Sequence, residues 1–370
     1  MIRFKPYIRV LLNEKEKKVI MSRPLKDGDG GDIFELTPLG LKVIKNLNES
    51  ISKENLIKKI NVVSQEEMIE MDEILELLIN EKYIGFEFDE ISKEHEELEK
   101  VYGRVIPLWA EVETEVSNRY QIQEQIMNKK VGIIGCGTIG MGIISKLVTV
   151  GINKFILIDD DLVSRTNLTR QPAFLLSDID KSKTTVAKQY IYDRIENPQV
   201  EVYNKRIRNI DDLSIFNDVD IIIVASDEPK IDKLVQEYGN NTNITLSFTG
   251  GYTGSTGKIF PIVIPGKTHD YNCIHEYLHK VYEKHTKGYI DLNTNNNFTI
   301  SSITSVADFI VSISSFEIIK CLTGVIEPYL INKIIFFNFA NYTIDELNIE
   351  NVECNCINNL VSVGSKEEKN

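Results

Sequence analysis

Long apolar runs are missing from this chain: no stretch approaches the ~20 residues that cross a bilayer as a helix. Cysteine is scarce as well, and five scattered thiols, an odd number, fit no secreted disulfide framework. Basic residues are in deficit, with 42 Lys and Arg against 55 Asp and Glu, a net charge of -13. That balance argues against nucleic acid or an anionic membrane as the main partner. The opening MIRFKPYIRVLLNEKEKK alternates like a strand and lacks the h-region and cleavage site of a signal peptide. The expected compartment is therefore the cytoplasm. What is left, 370 residues at 42% hydrophobic and 26% charged, is chain enough for two ordinary globular domains.

Residues 1–90 read as the smaller domain. FKPYIRVLL and KKVIMSR alternate like strands, and DGDGGDIFELTP supplies turn chemistry followed by a short apolar stretch. LTPLGLKVIKNLN, SKENLIKKINV and SQEEMIEMDEILELLINEKY then follow as helical patterns, closed by the β-like IGFEF. In the third, Met68, Met71, Ile74, Leu75 and Leu78 recur at helical spacing. Strands, three helices and a terminal β wing outline a winged-helix-like module. Its first 100 residues carry 16 basic against 22 acidic side chains, which is the wrong footprint for DNA. Peptide binding or a structural cap suits it better. SKEHEELEK (92–100) reads as a charged, solvated connector, and residues 91–130 as a whole as connector and helices.

From residue 131 to the end the chain reads as an α/β domain with a doubly wound, Rossmann-like sheet. VGIIG, KFILID, VEVYNKRI and DVDIIIVAS are strand-like and separated by helical segments, a pattern whose ligands sit at the carboxyl ends of the strands. Past Gly250 longer, antiparallel strands are expected, and SSITSVADFIVSISSFEIIKCLTG reads as a long buried helix. Gly135, Gly137 and Gly140 form GxGxxG after the first strand, which lets backbone approach a phosphate at a helix N-terminus. Asp159 follows Gly140 by 19 residues, where it can reach a ribose.

Taken alone, that loop suits NAD as well as any other nucleotide. The sequel shifts the balance. NLTRQ puts Asn167 and Arg170 after the second strand, Lys183 opens the next helix, and Asp227 ends the strand DIIIVAS. Hydride transfer has no task for two cations and an acid at one edge. Nucleotidyl transfer does: Arg170 and Lys183 neutralise a triphosphate and Asp227 holds magnesium. Each also has a structural alternative, a surface salt bridge for the cations and a helix cap for the acid. Cys136 in the loop and Cys321 on the long helix read as packing residues.

GCGTIG, LIDDDLVSRTNLTRQ, Lys183 and Ser226-Asp227 together resemble the ThiF/MoeB/HesA family, bacterial relatives of ubiquitin-activating enzymes. The resemblance covers residues 118–340. It implies a homodimer that adenylates the C-terminal carboxylate of a protein or peptide with ATP and magnesium. It assigns Asp159, with Asp161, to the nucleotide, Asn167, Arg170 and Lys183 to the phosphates, and Asp227 to the metal. NRY at 118–120, Gly251-Tyr252 and IPGKT at 264–268 bring the chain nearest to the microcin C maturation type. That type carries an N-terminal peptide clamp of winged-helix form and takes a short ribosomal precursor peptide.

Two departures stand out. Ile122 occupies the place of an arginine that reaches the partner subunit's triphosphate, which leaves Arg119 as its replacement or the contribution lost. The family's two CxxC pairs for zinc are reduced to Cys273 and to Cys354-Asn355-Cys356, with Asp270 or His275 available as a further ligand; the alternative is reduced thiols that bind no metal. CTP in place of ATP stays open, since the base leaves no mark in the sequence. The rival roles are adenylation of a ubiquitin-like sulfur carrier and a non-catalytic peptide-presenting scaffold in an azole-forming complex.

Overall fold

The computed structural model describes residues 1–5, 7–22, 31–86, 92–114, 117–289, 301–350 and 352. It divides into two compact units, Met1–Gln125 and Ile126–Asn370. In the first, β1 (Ile2–Phe4) pairs antiparallel with β5 (Ile84–Phe86), while β2 (Arg9–Asn13), β3 (Lys18–Ser22) and β4 (Asp32–Glu35) form a meander. Between β4 and β5 lie α1 (Pro38–Asn46), α2 (Lys53–Ile60) and α3 (Gln65–Asn80). Their starts are written in the sequence. Thr37, Ser52 and Ser64 each cap a helix by accepting a backbone N–H, and Glu67 completes a capping box on α3. The apolar faces they present, Val43, Leu56, Met71 and Leu75 among them, close one core with Val19, Met21 and Ile84.

Two elements of this unit differ from expectation. Asp32–Glu35 is a third meander strand, where the sequence suggested only a turn and a short apolar stretch. Its side chains are mostly exposed, so no buried alternation announces it. The charged segment after Ser92 is not a bare connector but helix α4 (Lys93–Tyr102). Ser92 caps it, and His95 and Glu99 meet Tyr120 by stacking and by a 2.5 Å hydrogen bond. Two helices follow, α5 (Ile106–Trp109) and α6 (Arg119–Met127), and the buried Trp109 indole donates to Gln123 at 2.9 Å.

The second unit is the doubly wound sheet. β6 (Lys130–Ile134), β7 (Lys154–Ile158), β8 (Gln199–Tyr203), β9 (Ile221–Val224) and β10 (Thr245–Phe248) are parallel, and β13 (Ile262–Val263) joins antiparallel at the edge. The spatial order is β13-β10-β9-β6-β7-β8. Progress from β6 runs outward to β7 and β8, then returns to β9 on the other side of β6. The order therefore reverses between β6 and β9, where open α/β sheets hold their ligands. β11 (Gly251–Thr253), β12 (Thr256–Ile259), β14 (Lys333–Asn338) and β15 (Thr343–Asn348) make a separate antiparallel sheet, as the changed rhythm past Gly250 implied.

Helices cover both faces of the parallel sheet. α7 (Thr138–Thr149) meets α11 (Thr304–Thr323), so closely that a side chain at Gly142 would lie 2.6 Å from Val311. α8 (Lys183–Tyr192) packs beside α7 and against β8. On the opposite face, α9 (Pro229–Thr242) and α10 (Tyr271–Thr286) share a core with Ile134, Phe216, Ile222, Val224 and Leu246. Phe216 lies flat enough on the sheet that a Cβ at Gly132 would fall 2.5 Å from its ring. Phe216→Ala should cost about 3–5 kcal/mol in urea unfolding, and Gly132→Ala about 1–3 kcal/mol by overpacking. The double variant should be less destabilised than the sum, because each change relieves the other; additive losses would contradict the contact.

Candidate active site

The glycine loop leaves β6 at Gly135, and its three glycines have different reasons. Gly135 sits at φ +93, and a side chain there would press 2.7 Å from the Ala225 carbonyl oxygen. At Gly140 a Cβ would collide with the Gly135 carbonyl oxygen. The protein's own packing requires both. Gly137 is different: its φ is -82, and a Cβ would meet only Gln171 Nε2, at 3.9 Å. No intramolecular contact demands glycine at this place. Gly137 is also the N-cap of α7 and brings no side-chain cap, so the first-turn N–H groups and the positive helix end stay open to an anion.

Asp159, directly after β7, fastens the loop. Its Oδ2 accepts the Cys136 N–H at 2.6 Å and its Oδ1 accepts the Asp161 N–H at 2.8 Å. Burial pushes this carboxyl up, opposed by those two hydrogen bonds and by Lys183. Burial also pushes the Cys136 and Cys321 thiols up, so neither is held as a thiolate. Asp159, Asp160 and Asp161 bring carboxylate oxygens within 4.8 Å of one another, but Asp161 already holds the buried Lys183 ammonium at 2.5 Å.

The NLTRQ segment is a short 3₁₀ turn, Arg165–Thr169, with Asn167 buried inside. Asn167 Oδ1 accepts the Ser164 N–H at 3.0 Å, and Arg170 Nη1 donates to the Thr166 carbonyl at 3.1 Å. The next residue was missed by the sequence reading as an individual site. Gln171 is buried, its Nε2 faces Gly137, and its Oε1 has no hydrogen-bond partner. This acceptor lies beside the open loop, where a donor from a ligand or a water would satisfy it. The signal was present, as the last letter of NLTRQ, but nothing in one sequence says that a glutamine is buried.

Asp227 follows β9 across the switch point. Ala225 N donates to the Ile134 carbonyl at 2.8 Å, which keeps the ends of β9 and β6 together. Asp227 itself is exposed, and its carboxylate makes no hydrogen bond or ion pair among the described residues. A free carboxylate at the strand edge suits an oxygen ligand for a hard cation such as magnesium. The loop, Asp159, the Asn167–Gln171 turn, Lys183 and Asp227 thus all follow carboxyl ends of parallel strands or the connections leaving them.

Arg119 belongs to the first unit. Its Nε and Nη2 bind the two Glu113 oxygens at 3.0 and 2.9 Å, and Glu113 is buried. Burial pushes the Glu113 carboxyl up, while the guanidinium opposes it. Arg119 could serve a phosphate only by leaving that partner. Of the expected zinc ligands, Cys354 and Cys356 lie outside the described residues. Asp270 caps α10, accepting the Cys273 N–H at 2.8 Å, which is a structural task of its own.

Comparison with known proteins follows the same lines. Residues 102–358 match the ThiF family. The chain belongs to the ThiF family. It is similar to the adenylyltransferase and sulfurtransferase UBA4 of Scheffersomyces stipitis, 26% identical over 187 residues, 50% of this chain and 40% of that protein. It is also similar to the SUMO-activating enzyme subunit uba-2 of Caenorhabditis elegans, 28% identical over 156 residues, 41% of this chain and 26% of that one. The chain therefore spans less than half the length of these relatives. Among solved structures, E. coli MccB with AMPCPP and MccA has a TM-score of 0.71 at 23% identity, covering 94% of this chain and 96% of that one. PaaA has a TM-score of 0.67 at 17% identity, covering 93% and 99%. These likenesses establish the shared fold, the Rossmann-like adenylation fold of MccB.

One further acid sits at this edge. Asp232, in the first turn of α9, has its carboxyl pushed up to about 6 by burial, with the Tyr271 hydroxyl opposing. A raised acid binds its proton more tightly when folded, so its favourable contribution is complete below about pH 4 and is lost as pH rises through about 6. Stability of the parent relative to Asp232→Asn should fall over that window by on the order of 2 kcal/mol, read by urea unfolding at several pH values. A pH-independent difference would contradict it.

Proposed function

We propose that this chain is an adenylyltransferase that uses ATP to activate the C-terminal carboxylate of a short ribosomal peptide, as a homodimer. One observation carries the reading: an open helix N-terminus at Gly137 shares the carboxyl edge with two cations and an unpaired acid, Arg170, Lys183 and Asp227. Backbone N–H groups and cations accept the triphosphate from several sides. The peptide carboxylate, in the cleft near Gly250, Gly251 and Tyr252, attacks the α-phosphorus. A carboxylate oxygen forms the new bond, and the bridging oxygen leaves with its electron pair as pyrophosphate. Magnesium held by Asp227 would offset charge on that leaving group. Asp159 would bind the ribose, with Asn167 and Gln171 lining the phosphate path.

The peptide reading draws on the solved MccB structures, described with MccA and with ATP. In this reading residues 1–90 are the peptide clamp, taking the precursor by strand addition. β2 and β4 are the outer strands of the meander among the described residues and offer the edges for it. A second reading has its own support: UBA4 is named as a sulfurtransferase as well as an adenylyltransferase, which favours a ubiquitin-like sulfur carrier as acceptor.

The test is pyrophosphate exchange into ATP, with CTP offered in parallel, in the presence of candidate acceptors. Asp227→Asn should keep the fold and lower exchange on the order of 100-fold or more, the scale of losing a preorganised charge contact. Lys183→Ala should weaken binding of ATP more than of adenosine, measured by calorimetry. Wild-type protein that binds no nucleoside triphosphate would leave the scaffold role in its place.

A further inference from the structure

Among the described residues of the second unit, Arg206 is the one arginine paired with a carboxylate. Its Nε and Nη2 both donate to Glu228 Oε2, at 3.0 and 2.7 Å. Gripped at one edge, the guanidinium is fixed in its plane. Its side chain is 54% exposed, and among the described residues no ring stacks on it. An exposed ion pair adds little to stability, so the fold alone gives this one small reason to exist.

Its place in the fold gives a larger one. Arg206 follows the carboxyl end of β8, and Glu228 follows that of β9 beside Asp227. In the sheet β7 and β6 lie between those two strands. The pair therefore reaches past the ends of β7 and β6, where Asp159 and the glycine loop lie. The backbone that presents it is held at each step. Tyr203 accepts the Asp159 N–H at 3.2 Å, and Asn204 Oδ1 accepts the Ser182 hydroxyl at 2.6 Å and the Thr184 hydroxyl. Lys205 pairs with Asp212 at 3.2 Å, and Ile207 is buried in the core shared with α9. At the other end, the Glu228 N–H donates to the Ser226 hydroxyl at 3.3 Å. A flat, rigidly mounted cation thus stands at the crevice, on the α9 face of the sheet.

The phosphate donors, the α7 N-terminus and Lys183 at the start of α8, belong to the other face. Asp159 stands at the edge between, where it takes the ribose. The nucleobase, the end remote from the phosphates, then crosses to the α9 face. Arg206 is poorly suited to a phosphate there, because its charge is already engaged: Glu228 first, then Asp160 and Asp161, raise its pKa. Arg170, by contrast, donates only to a carbonyl. We propose that Arg206, held in plane by Glu228, is the platform on which the nucleobase stacks, and that it favours a purine. This rests on the adenylation reading above. A guanidinium is planar, delocalised and weakly hydrated, so it stacks on aromatic rings where an ammonium does not. A bicyclic purine covers more of that face than a pyrimidine. Because Glu228 fixes the group beforehand, little freedom is lost when the base arrives.

The experiment is calorimetric titration of the full chain with MgATP, MgCTP and magnesium tripolyphosphate, which has no base. Wild type should bind MgATP more tightly than MgCTP. Arg206→Ala should raise the Kd for MgATP by about fivefold or more, and that for MgCTP by less. Its affinity for tripolyphosphate should stay within about twofold of wild type, which also shows that the site is folded. Arg206→Lys keeps the charge but loses the plane, and should behave like the alanine variant. Glu228→Gln loosens the grip and should fall between wild type and Arg206→Ala for MgATP. Equal losses for all three probes would overturn the proposal in favour of a phosphate contact or a structural role. Full recovery by lysine would overturn stacking in favour of charge. Unchanged MgATP binding in Arg206→Ala would overturn it outright, as would wild type that binds MgATP and MgCTP equally. Wild type that binds neither nucleotide would fell the adenylation reading itself.

Discussion

The Asp159 carboxylate between two strand ends is the contact on which this site depends. One oxygen takes the N–H of Cys136 inside the glycine loop, and the other takes the N–H of Asp161 in the following turn. A short hydrogen bond to an ionised oxygen is stronger than a neutral one, so this one side chain ties the glycine loop to the exit of β7. Asp161 in turn positions Lys183, through its carbonyl as well as its carboxylate. One acid thereby sets the loop, the second strand's exit and the first cation. The cost is a carboxylate held partly out of water, which is why burial pushes its pKa up while its partners hold it down.

The sheet order makes this local arrangement useful. Because connections from β6 and β9 leave toward opposite sides, a crevice opens between them, and groups at both ends face one ligand. A chain of net charge -13 gathers cations in that crevice by geometry rather than by composition. Arg170 and Lys183 both arrive on the connection from β7 to β8, one after its 3₁₀ turn and the other at the start of α8. Acids dominate the surface elsewhere, which discourages adventitious binding of other polyanions.

The same contrast explains which residues were legible. Val131–Ile134 and Phe155–Ile158 could be read as buried strands because both their faces are covered, which leaves continuous apolar runs. The helices after Thr37, Ser52 and Ser64 could be read because their apolar residues recur at helical spacing, a local property. β4 could not, since its side chains are largely exposed and its pairing with β3 crosses a turn. Nor could α4, whose charged sequence buries no residue and so shows no apolar stripe; its His95 and Glu99 meet Tyr120.

The sequence by itself determined the order of strands and helices, the glycine loop, and the identities of Asp159, Asn167, Arg170, Lys183 and Asp227 as residues that follow strands. These are properties of periodicity and spacing, which local sterics and hydrogen bonding translate into structure. Tertiary structure alone decided the partners: Arg119 on Glu113, Lys183 on Asp161, and a Gln171 oxygen left without one among the described residues. Partnership depends on which distant segments the core brings together, and burial changes the worth of a charge by more than its identity does.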